Sequence, residues 1–468
     1  MKRLISISAM LGILSGVHCQ TFSYPAFMNQ VVQNHPIMQQ ANIEAEIGKA
    51  KLRMEKAVMD PYIAINYADK AYNGNTYYDK SNMKLALPTA LGMEIFAGYE
   101  ENLEPLVNPE VSTSGLYKAG VSMPIGSNLL LNERQMAIRQ GKLMVNMAEE
   151  QKRIIINDLL FRANLAYLNW SLAEAALQVQ ENALFIAREQ LSFVKEVFEQ
   201  GDAPAIDTVE AFLQVQNRSF SLLETENILN SAQLIISTFL WDEQGNNTTL
   251  PAGTQPDALS TLVNRFEPIS DSVLIWRENL RQDHPLLTIN KLKIEALKIE
   301  RQTSMSNILP QIQLDYAALT PGVSNRDINA IGLNDRMLNV GLKYPLLQRQ
   351  SRSEINLINL KARQTEIDLD VKKVDLETEL EKVAFNYRIN REQAILYGSM
   401  TENFNRLLQA ERIKFELGES SVFFLNAREN KLFDAQEQLL KAQTNQAVSA
   451  LKIIQTSNRE QRYFDLIE

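Results

Sequence analysis

Short segments of the chain alternate between apolar and polar residues, as amphipathic β-strands do. Residues 62–67 and 311–316 each follow a proline, and every second side chain in them includes an apolar one on the same face. Residues 83–87 alternate in the same way, and residues 117–123 and 338–344 each lead to a further proline. From the proline-bounded segments we predict four strands per chain, each with one apolar face.

A very long helix is predicted after the first group of strands. Residues 130–200 contain no proline and one glycine, Gly141, so a nearly continuous helix of about 70 residues and about 105 Å is allowed. In its C-terminal part a coiled-coil seam, spaced by four and three residues, runs through Ala173, Leu177, Gln180, Leu184, Ala187, Leu191, Val194 and Phe198. A second seam on another face comprises Leu168, Leu172, Ala175, Val179, Ile186 and Phe193. We therefore expect neighbouring helices on two sides.

The chain contains two copies of one pattern. The dipeptide His35-Pro36 recurs as His284-Pro285 after 249 residues (284 − 35). The offset falls to 221 between Gly120 and Gly341 (341 − 120), so the second copy is 28 residues shorter between these landmarks (249 − 221). This period is far longer than the roughly 20 to 50 residues of a solenoid unit, so we predict two large tandem repeats. Both histidines are expected to mark the start of a helix.

The predicted organisation has four segments. They are a signal peptide at 1–19, a first repeat at 20–246, a linker at 247–275 and a second repeat at 276–468. The signal peptide is predicted from a basic start followed by an apolar run that is too short for a transmembrane helix. The only cysteine, Cys19, lies at the expected cleavage point, and its lipidation is the alternative. Each repeat is expected to contain a helix, a β-hairpin, a long helix and a return helix.

Composition and charge argue against several classes of function. The formal net charge of −9 disfavours a nucleic-acid partner, because phosphates require a positive protein surface. The sequence has no glycine-rich phosphate loop, no cluster of metal ligands, and no serine or cysteine nucleophile beside a histidine. We expect neither an enzyme nor a cofactor.

Four strands are too few to close a barrel within one chain. An open sheet edge in lipid leaves backbone N–H and C=O groups without partners, at a cost of several kcal/mol each. Several copies related by cyclic symmetry remove this cost, since each copy can give its strands to one barrel and its helices to one tube. We therefore expect a ring of identical chains.

These features resemble the TolC-type outer-membrane efflux channels. The long helices close on Phe-x-x-Gly at 198–201 and 415–418, followed by Ala-Ile-Asp-Thr-Val-Glu-Ala at 205–211 and Leu-Asn-Ala at 425–427. The resemblance covers nearly all of the chain after residue 19. It implies a mainly α-helical fold with a membrane β-barrel portion: a homotrimer with a twelve-stranded barrel in the outer membrane, four strands from each chain, and a long periplasmic α-helical coiled-coil barrel.

The resemblance also implies a function, that of the outer-membrane exit duct of a tripartite efflux pump or a type I secretion system. Such a passive conduit exports small molecules, metal ions or polypeptides. Its partners would be a periplasmic adaptor, an inner-membrane pump of the RND or ABC type, and outer-membrane lipid. The alternative is a periplasmic or secreted coiled-coil scaffold without a pore, which would be extracted without detergent.

By the same resemblance, a periplasmic gate follows the two helix turns. The candidates are Asp207, Glu210, Phe423, Phe424 and Asn426. Many family members have an aspartate where this chain has Phe423 or Phe424, so we expect an apolar plug there that closes the channel by excluding water. Two alternatives stay open: the carboxylates as solvated residues at a helix start, and the phenylalanines as packing between helices.

The turns themselves are the expected docking sites of the adaptor. These positions are Gln200, Gly201, Asp202, Leu417, Gly418 and Glu419. Glycine is first required there for chain reversal. Arg412, Lys414 and Arg428 flank the second turn and are expected to pair with Asp207 or Glu210, each surface pair contributing at most about 1 kcal/mol.

Overall fold

A computed structural model describes residues 21–102, 115–125, 132–201, 204–266, 280, 283–320 and 335–465. The predicted signal peptide and Asp202 lie outside these residues. The elements up to the first long helix are β1 (Thr21–Phe22), α1 (Tyr24–Asn34), α2 (Pro36–Lys56), a 3₁₀ turn (Ala57–Met59), β2 (Tyr62–Tyr72), β3 (Asn75–Pro88), β4 (Glu94–Asn102), β5 (Leu116–Ile125) and α3 (Glu133–Glu199). The elements that follow are α4 (Ala205–Ser237), β6 (Gln255–Pro256), α5 (Leu259–Phe266), α6 (Pro285–Ser306), β7 (Gln311–Thr320), β8 (Arg336–Lys343), α7 (Arg349–Glu416), α8 (Val422–Ser457) and α9 (Glu460–Asp465).

The chain folds into two compact units, and both copies contribute to each. One unit comprises the described residues of Met1–Gln40, Ile155–Gln282 and Leu376–Glu468 and is entirely helical apart from the short pair of β1 and β6. The other comprises the described residues of Ala41–Ile154 and Asp283–Asp375 and contains the main sheet. The prediction of a mainly α-helical fold with a distinct β portion is confirmed.

The two histidine-proline pairs begin helices, as predicted. The Nδ1 atom of His35 accepts the N–H of Ile37 at 3.2 Å, and Nδ1 of His284 accepts the N–H of Leu286 at 3.3 Å. Proline follows each histidine without loss of a hydrogen bond, because the first N–H of a helix has no partner within the helix. Burial lowers the pKa of His35, which favours the neutral ring whose Nδ1 can accept a hydrogen bond.

The main sheet has six strands in the order β2-β3-β4-β5-β7-β8, and all neighbours are antiparallel. The prediction of four strands was therefore wrong for the first copy. Its additional hairpin, β3 and β4, spans Asn75–Asn102, which is 28 residues (102 − 75 + 1). This is the number by which the first copy exceeds the second. We call Asn75–Asn102 the inserted hairpin.

The sheet has one apolar face and one polar face. Residues 63, 65 and 67 of β2 share the apolar face with every second residue of each following strand. Ile65 is 71% exposed and Val340 is 62% exposed within the chain, so this face is left uncovered by the described residues. The opposite, polar face carries charged and amide side chains such as Lys84, Glu94 and Asp315.

Both predicted long helices are present. Helices α3 and α7 contain 67 and 68 residues and are each about 100 Å long. The first predicted seam of α3 is largely buried, with Ala173, Leu184 and Val194 at most 5% exposed. The second seam starts buried at Leu168 and becomes exposed at Phe193. Of the helices in the described residues, none combines the length and apolar character needed to cross a membrane.

The core of the helical unit is aromatic. Tyr24, Tyr167 and Trp170 are fully buried, and the rings of Tyr24 and Tyr167 lie 5.5 Å apart in an edge-to-face arrangement. The hydroxyl of Tyr24 donates to Oδ1 of Asn164 at 2.6 Å, and that of Tyr167 donates to the carbonyl of Phe22 at 2.7 Å. Every polar atom named here that is brought into the core thus has a partner, which offsets the cost of burying it.

Part of the predicted linker packs into the same core. Strand β6 pairs in parallel with β1, and the N–H of Asp257 donates to the Tyr167 hydroxyl at 2.9 Å. The short helix predicted in this segment is α5, and its buried residues are Leu259, Leu262, Val263 and Phe266. The connection between the copies is therefore held by the helical unit over these residues.

The pairing of β5 with β7 joins the strands of the two copies and depends on Gly120. A Cβ atom at this position would lie 2.1 Å from the carbonyl oxygen of Tyr316, whereas one at the repeat-equivalent Gly341 would meet nothing closer than 3.9 Å. We predict that Gly120→Ala destabilises the folded protein by about 1–3 kcal/mol, while Gly341→Ala costs less. Urea unfolding of the purified variants measures both, and equal midpoints for the two would contradict the prediction.

Candidate functional site

Both long helices end in a glycine turn. Gly201 has φ +87° and donates its N–H to the carbonyl of Phe198 at 2.9 Å. Gly418 has φ +75°, and the N–H of Glu419 reaches back to the carbonyl of Lys414 at 2.8 Å, as in a Schellman cap. Positive φ strains any residue with a Cβ, so glycine is required at both points. Helices α3 and α4 form the first helical hairpin, and α7 and α8 form the second.

The ends of the two helical hairpins pack together. Val194 of α3, Ala211 of α4 and Val422 of α8 are each at most 2% exposed and form one apolar cluster. Phe415 of α7 packs against this cluster, and its ring lies 5.9 Å from that of Phe193. All four helix ends therefore meet in one small core next to the turns.

Ion pairs stabilise the second helical hairpin internally. Nη2 of Arg412 lies 3.1 Å from Oε1 of Glu429, and Nε of Arg428 lies 3.5 Å from Oε2 of Glu411. Ser420 in the turn also donates its hydroxyl to Glu411 at 2.6 Å. Both pairs bridge α7 and α8.

These partners differ from the expected ones. Arg412 and Arg428 were predicted to pair with Asp207 or Glu210 of the first copy, but their partners within the chain belong to their own helical hairpin. The reason is geometric, since α7 and α8 lie side by side directly after the turn. Lys414, the third cation, supplies the carbonyl that caps the end of α7.

The two carboxylates of these pairs sit in opposite electrostatic environments. The hydrogen bond from Ser420, assisted by Arg428, holds the pKa of Glu411 below its usual value. Burial raises the pKa of Glu429, against the opposing effects of Arg412 and Arg218. The side chain of Glu429 is 3% exposed, whereas that of Glu411 is 13% exposed. Arg412 is therefore the group that makes an ionised Glu429 tolerable in the interior.

Hydrogen bonds also join the two helical hairpins. Nε2 of Gln214 donates to Oδ1 of Asn430 at 2.8 Å, and Nη2 of Arg218 donates to the same oxygen. Further along, Nε2 of Gln180 donates to Oε1 of Glu437. Except for Gln180, which belongs to the predicted seam of α3, these residues were missed in the sequence. Its polar nature within an apolar seam was the available signal.

The predicted gate residues lie next to this network. Asp207 and Glu210 are half-buried in the first turns of α4, and the N–H of Asp207 donates to the carbonyl of Pro204 at 3.1 Å. Asn426 is 5% exposed, and its Oδ1 atom has no partner among the described residues. The carboxylates are thus at a helix start, where the helix dipole favours them.

The phenylalanine pair lies outside the core of the chain. Phe423 is 60% exposed and Phe424 is 54% exposed, and their rings contact each other at 5.6 Å. Val422 and Leu425 on either side are buried. The first turn of α8 therefore fixes the backbone beneath two apolar rings that the chain itself leaves uncovered.

A groove separates the end of α3 from the second helical hairpin. It has a volume of about 440 Å³, and Phe185, Phe193, Arg412 and Phe415 contribute to its lining. Both amide atoms of Gln190, which also lines the groove, have no partner among the described residues. The groove opens near the predicted docking turns, whose described residues Gln200, Gly201, Leu417, Gly418 and Glu419 are all exposed.

Comparisons with known proteins identify relatives of this fold. Residues 276–459 match the family model for outer membrane efflux proteins. The structure of CusC, a protein described in connection with transmembrane channel formation, is 14% identical with a TM-score of 0.63 and covers 92% of this chain and 91% of its own. The outer membrane protein VceC from Vibrio cholerae is 10% identical with a TM-score of 0.63, covering 92% and 95%. The open MtrE outer membrane channel from Neisseria gonorrhoeae is 12% identical with a TM-score of 0.61, covering 93% and 88%.

No protein with curated annotation matches the sequence. At identities of 10% to 14% the structural similarity establishes the fold alone. That fold extends over nine-tenths of the chain, so it includes both copies.

The two ion pairs of the second helical hairpin allow a matched test. Arg412→Met leaves an ionised carboxylate buried without its partner and is expected to cost about 1–3 kcal/mol of stability. Arg428→Met is the control and is expected to cost less than about 1 kcal/mol, because Glu411 keeps Ser420 and is closer to water. Thermal unfolding of the purified variants measures the difference. Equal losses would contradict the special role of Arg412, as would failure of Arg412→Met/Glu429→Met to recover stability.

Proposed function

We propose that this chain, whose residues 276–459 belong to the outer membrane efflux protein family, is the outer-membrane duct of a multicomponent efflux or secretion system. The chain is an outer-membrane protein with its helical part in the periplasm. As a passive conduit, it performs no chemistry on its cargo. Small molecules, metal ions and polypeptides are the cargo classes of such ducts, and the inner-membrane pump selects among them.

One observation carries the proposal: a six-stranded sheet with an uncovered apolar face is part of the same chain as two hairpins of helices about 100 Å long. The exposed side chains of Ile65, Leu85 and Val340 are costly in water and favourable against lipid. A water-soluble scaffold has no use for such a face. The helices are too long for the membrane and suit the space between two membranes.

The duct is a homotrimer in this proposal. Among the described strands, β2 and β8 each have one edge without a neighbour. Lipid cannot satisfy the backbone groups of such an edge, so β2 of one copy pairs with β8 of the next. The exposed apolar residues of α7, including Ile367, Val371 and Val374, are spaced by four and three residues and provide a seam for a neighbouring copy.

The helix turns dock a periplasmic adaptor, which links the duct to an inner-membrane pump of the RND or ABC type. The groove beside the turns supports this assignment, because Phe185 and Phe193 offer apolar contact area and Gln190 offers an unused amide. A helix of the adaptor that enters the groove reaches Arg412 and competes for the pair with Glu429. Adaptor binding thereby loosens the second helical hairpin.

The gate is the apolar pair Phe423 and Phe424, contributed by each of three copies. Their exposure within the chain leaves them available to meet at the axis, and a ring of apolar side chains blocks ions by excluding water. Asp207 and Glu210 form a second ring on the first helical hairpin. Opening moves the helix ends apart like an iris.

The function as a whole is tested in planar lipid bilayers. Purified protein is expected to sediment with outer membranes, to migrate as a detergent-stable trimer and to conduct ions after reconstitution. A water-soluble protein that extracts without detergent and leaves bilayers sealed would refute the duct and support the pore-free scaffold instead.

The gate is tested by removing its apolar character. Phe423→Ser/Phe424→Ser is expected to raise single-channel conductance several-fold, because serine lets water enter the constriction. Ile206→Ser is the matched control, since Ile206 is 66% exposed and lies at the corresponding position after the first turn. If Asp207→Asn/Glu210→Gln opens the channel while the phenylalanine variant does not, the carboxylates form the gate.

A further inference from the structure

We infer that each chain contributes all six strands of its sheet to the membrane barrel, so that three copies close an eighteen-stranded barrel (3 × 6). This inference rests on the proposed trimeric duct. It departs from the twelve strands that four per chain would give (3 × 4). The inserted hairpin Asn75–Asn102 is then a part of the membrane-spanning sheet and not an appendage.

The first support is the continuity of the backbone ladder through the inserted hairpin. Strand β3 pairs with β2 from Tyr62↔Ala86 to Tyr72↔Asn75, and β4 pairs with β5 from Glu94↔Ser122 to Glu100↔Leu116. Strands β2 and β5, which would be neighbours without the insertion, are separated by β3 and β4. Excluding the hairpin from the barrel would break both ladders at once.

The second support is the continuity of the apolar face in the same register. Across the hairpin, Ile63 lies beside Leu85, and Leu85 lies beside Ala97. One row further along, Leu87 lies beside Ile95, which lies beside Val121 of β5. A hairpin that stayed in water would have no reason to keep its apolar residues on the lipid-facing side.

The third support is the placement of charge. Nζ of Lys84 lies 2.6 Å from Oε1 of Glu94 within the hairpin, and Nζ of Lys118 on β5 lies 3.0 Å from Oε2 of Glu100 on β4. All four residues belong to the polar face. Charged groups of a membrane barrel lie toward the aqueous interior, so the hairpin has the same inside and outside as the rest of the sheet.

The turn of the inserted hairpin is also anchored. Nδ2 of Asn132 donates to the carbonyl of Ala90 at 2.6 Å, and Nη1 of Arg134 donates to the carbonyl of Met93 at 3.0 Å. The guanidinium of Arg134 also lies 3.7 Å from the carboxylate of Glu94. These bonds attach the turn to the start of α3 and fix the hairpin in line with the sheet.

The lengths of the added strands suit a bilayer. Strands β3 and β4 contain 14 and 9 residues, and a tilted spanning strand needs about 9 to 11. Barrel diameter grows roughly in proportion to strand number, so eighteen strands give a barrel about 1.5-fold wider than twelve. The outer-membrane end of this duct is therefore wider than a barrel with four strands per chain.

Site-directed spin labelling tests the orientation of the hairpin in reconstituted trimers. Nitroxides at Leu85→Cys and Ile95→Cys are expected to be accessible to oxygen and protected from a water-soluble nickel chelate, like the reference label at Val340→Cys. A label at Asn82→Cys on the polar face is expected to behave like Asn339→Cys, with high access to the chelate. The labelled wild-type chain provides the background from Cys19. A label at Leu85 that is accessible to the chelate would overturn the inference.

Electron cryomicroscopy of the trimer in lipid nanodiscs counts the strands directly. Eighteen strands are expected. Twelve strands with Asn75–Asn102 outside the barrel would refute the inference and leave the proposed duct intact. A particle without threefold symmetry or without a barrel would refute the proposed function itself.

Discussion

The constraint on which this structure depends is the need to pair every backbone N–H and C=O of the sheet once its apolar face enters lipid. Within the chain, hydrogen-bonded ladders satisfy the strands from β2 to β8 on their inner edges. The two outer edges cannot be satisfied by lipid, and a chain of this topology has no further described strand to offer. Assembly is therefore not an addition to the fold but a condition for it, and the oligomer follows from the same chemistry as the sheet.

The helices obey a related constraint. A helix of 67 or 68 residues cannot be stabilised by its own hydrogen bonds and propensity, and depends on packing along its length. In the helical unit the seam of α3 and the aromatic core around Tyr167 provide that packing. Elsewhere the helices keep exposed apolar stripes, such as Ile367, Val371 and Val374 on α7. These stripes require neighbours outside the chain, as do the sheet edges.

Much of this architecture was predictable because it depends on local chemistry. His35 and His284 begin helices through their own Nδ1 atoms, and Gly201 and Gly418 end them through their positive φ angles, so one residue suffices to locate each boundary. The partner of Arg412 was not predictable, since several carboxylates were available and only the side-by-side packing of α7 and α8 selects Glu429.

The inserted hairpin was missed although a signal was present. Asn73 and Gly74 have φ angles of 55° and 80°, and an Asn-Gly pair between alternating segments is a strong indicator of a two-residue hairpin loop. Residues 83–87 also alternate. The repeat comparison outweighed both signals, because it transferred the two strands of the second copy to the first.

The two copies have diverged where function demands it and remain alike where folding demands it. Relative to the turn glycines, which are 217 residues apart (418 − 201), Asp207 corresponds to Phe424 (424 − 207 = 217). Duplication alone would place the same side chain at both positions and give a ring of six equal groups in a trimer. Instead a carboxylate and an aromatic ring alternate, and each responds to a different change, hydration for the ring and charge for the carboxylate. The insertion in the first copy has the same logic, since it changes the sheet of one copy without disturbing the glycine turns and helix caps that both share.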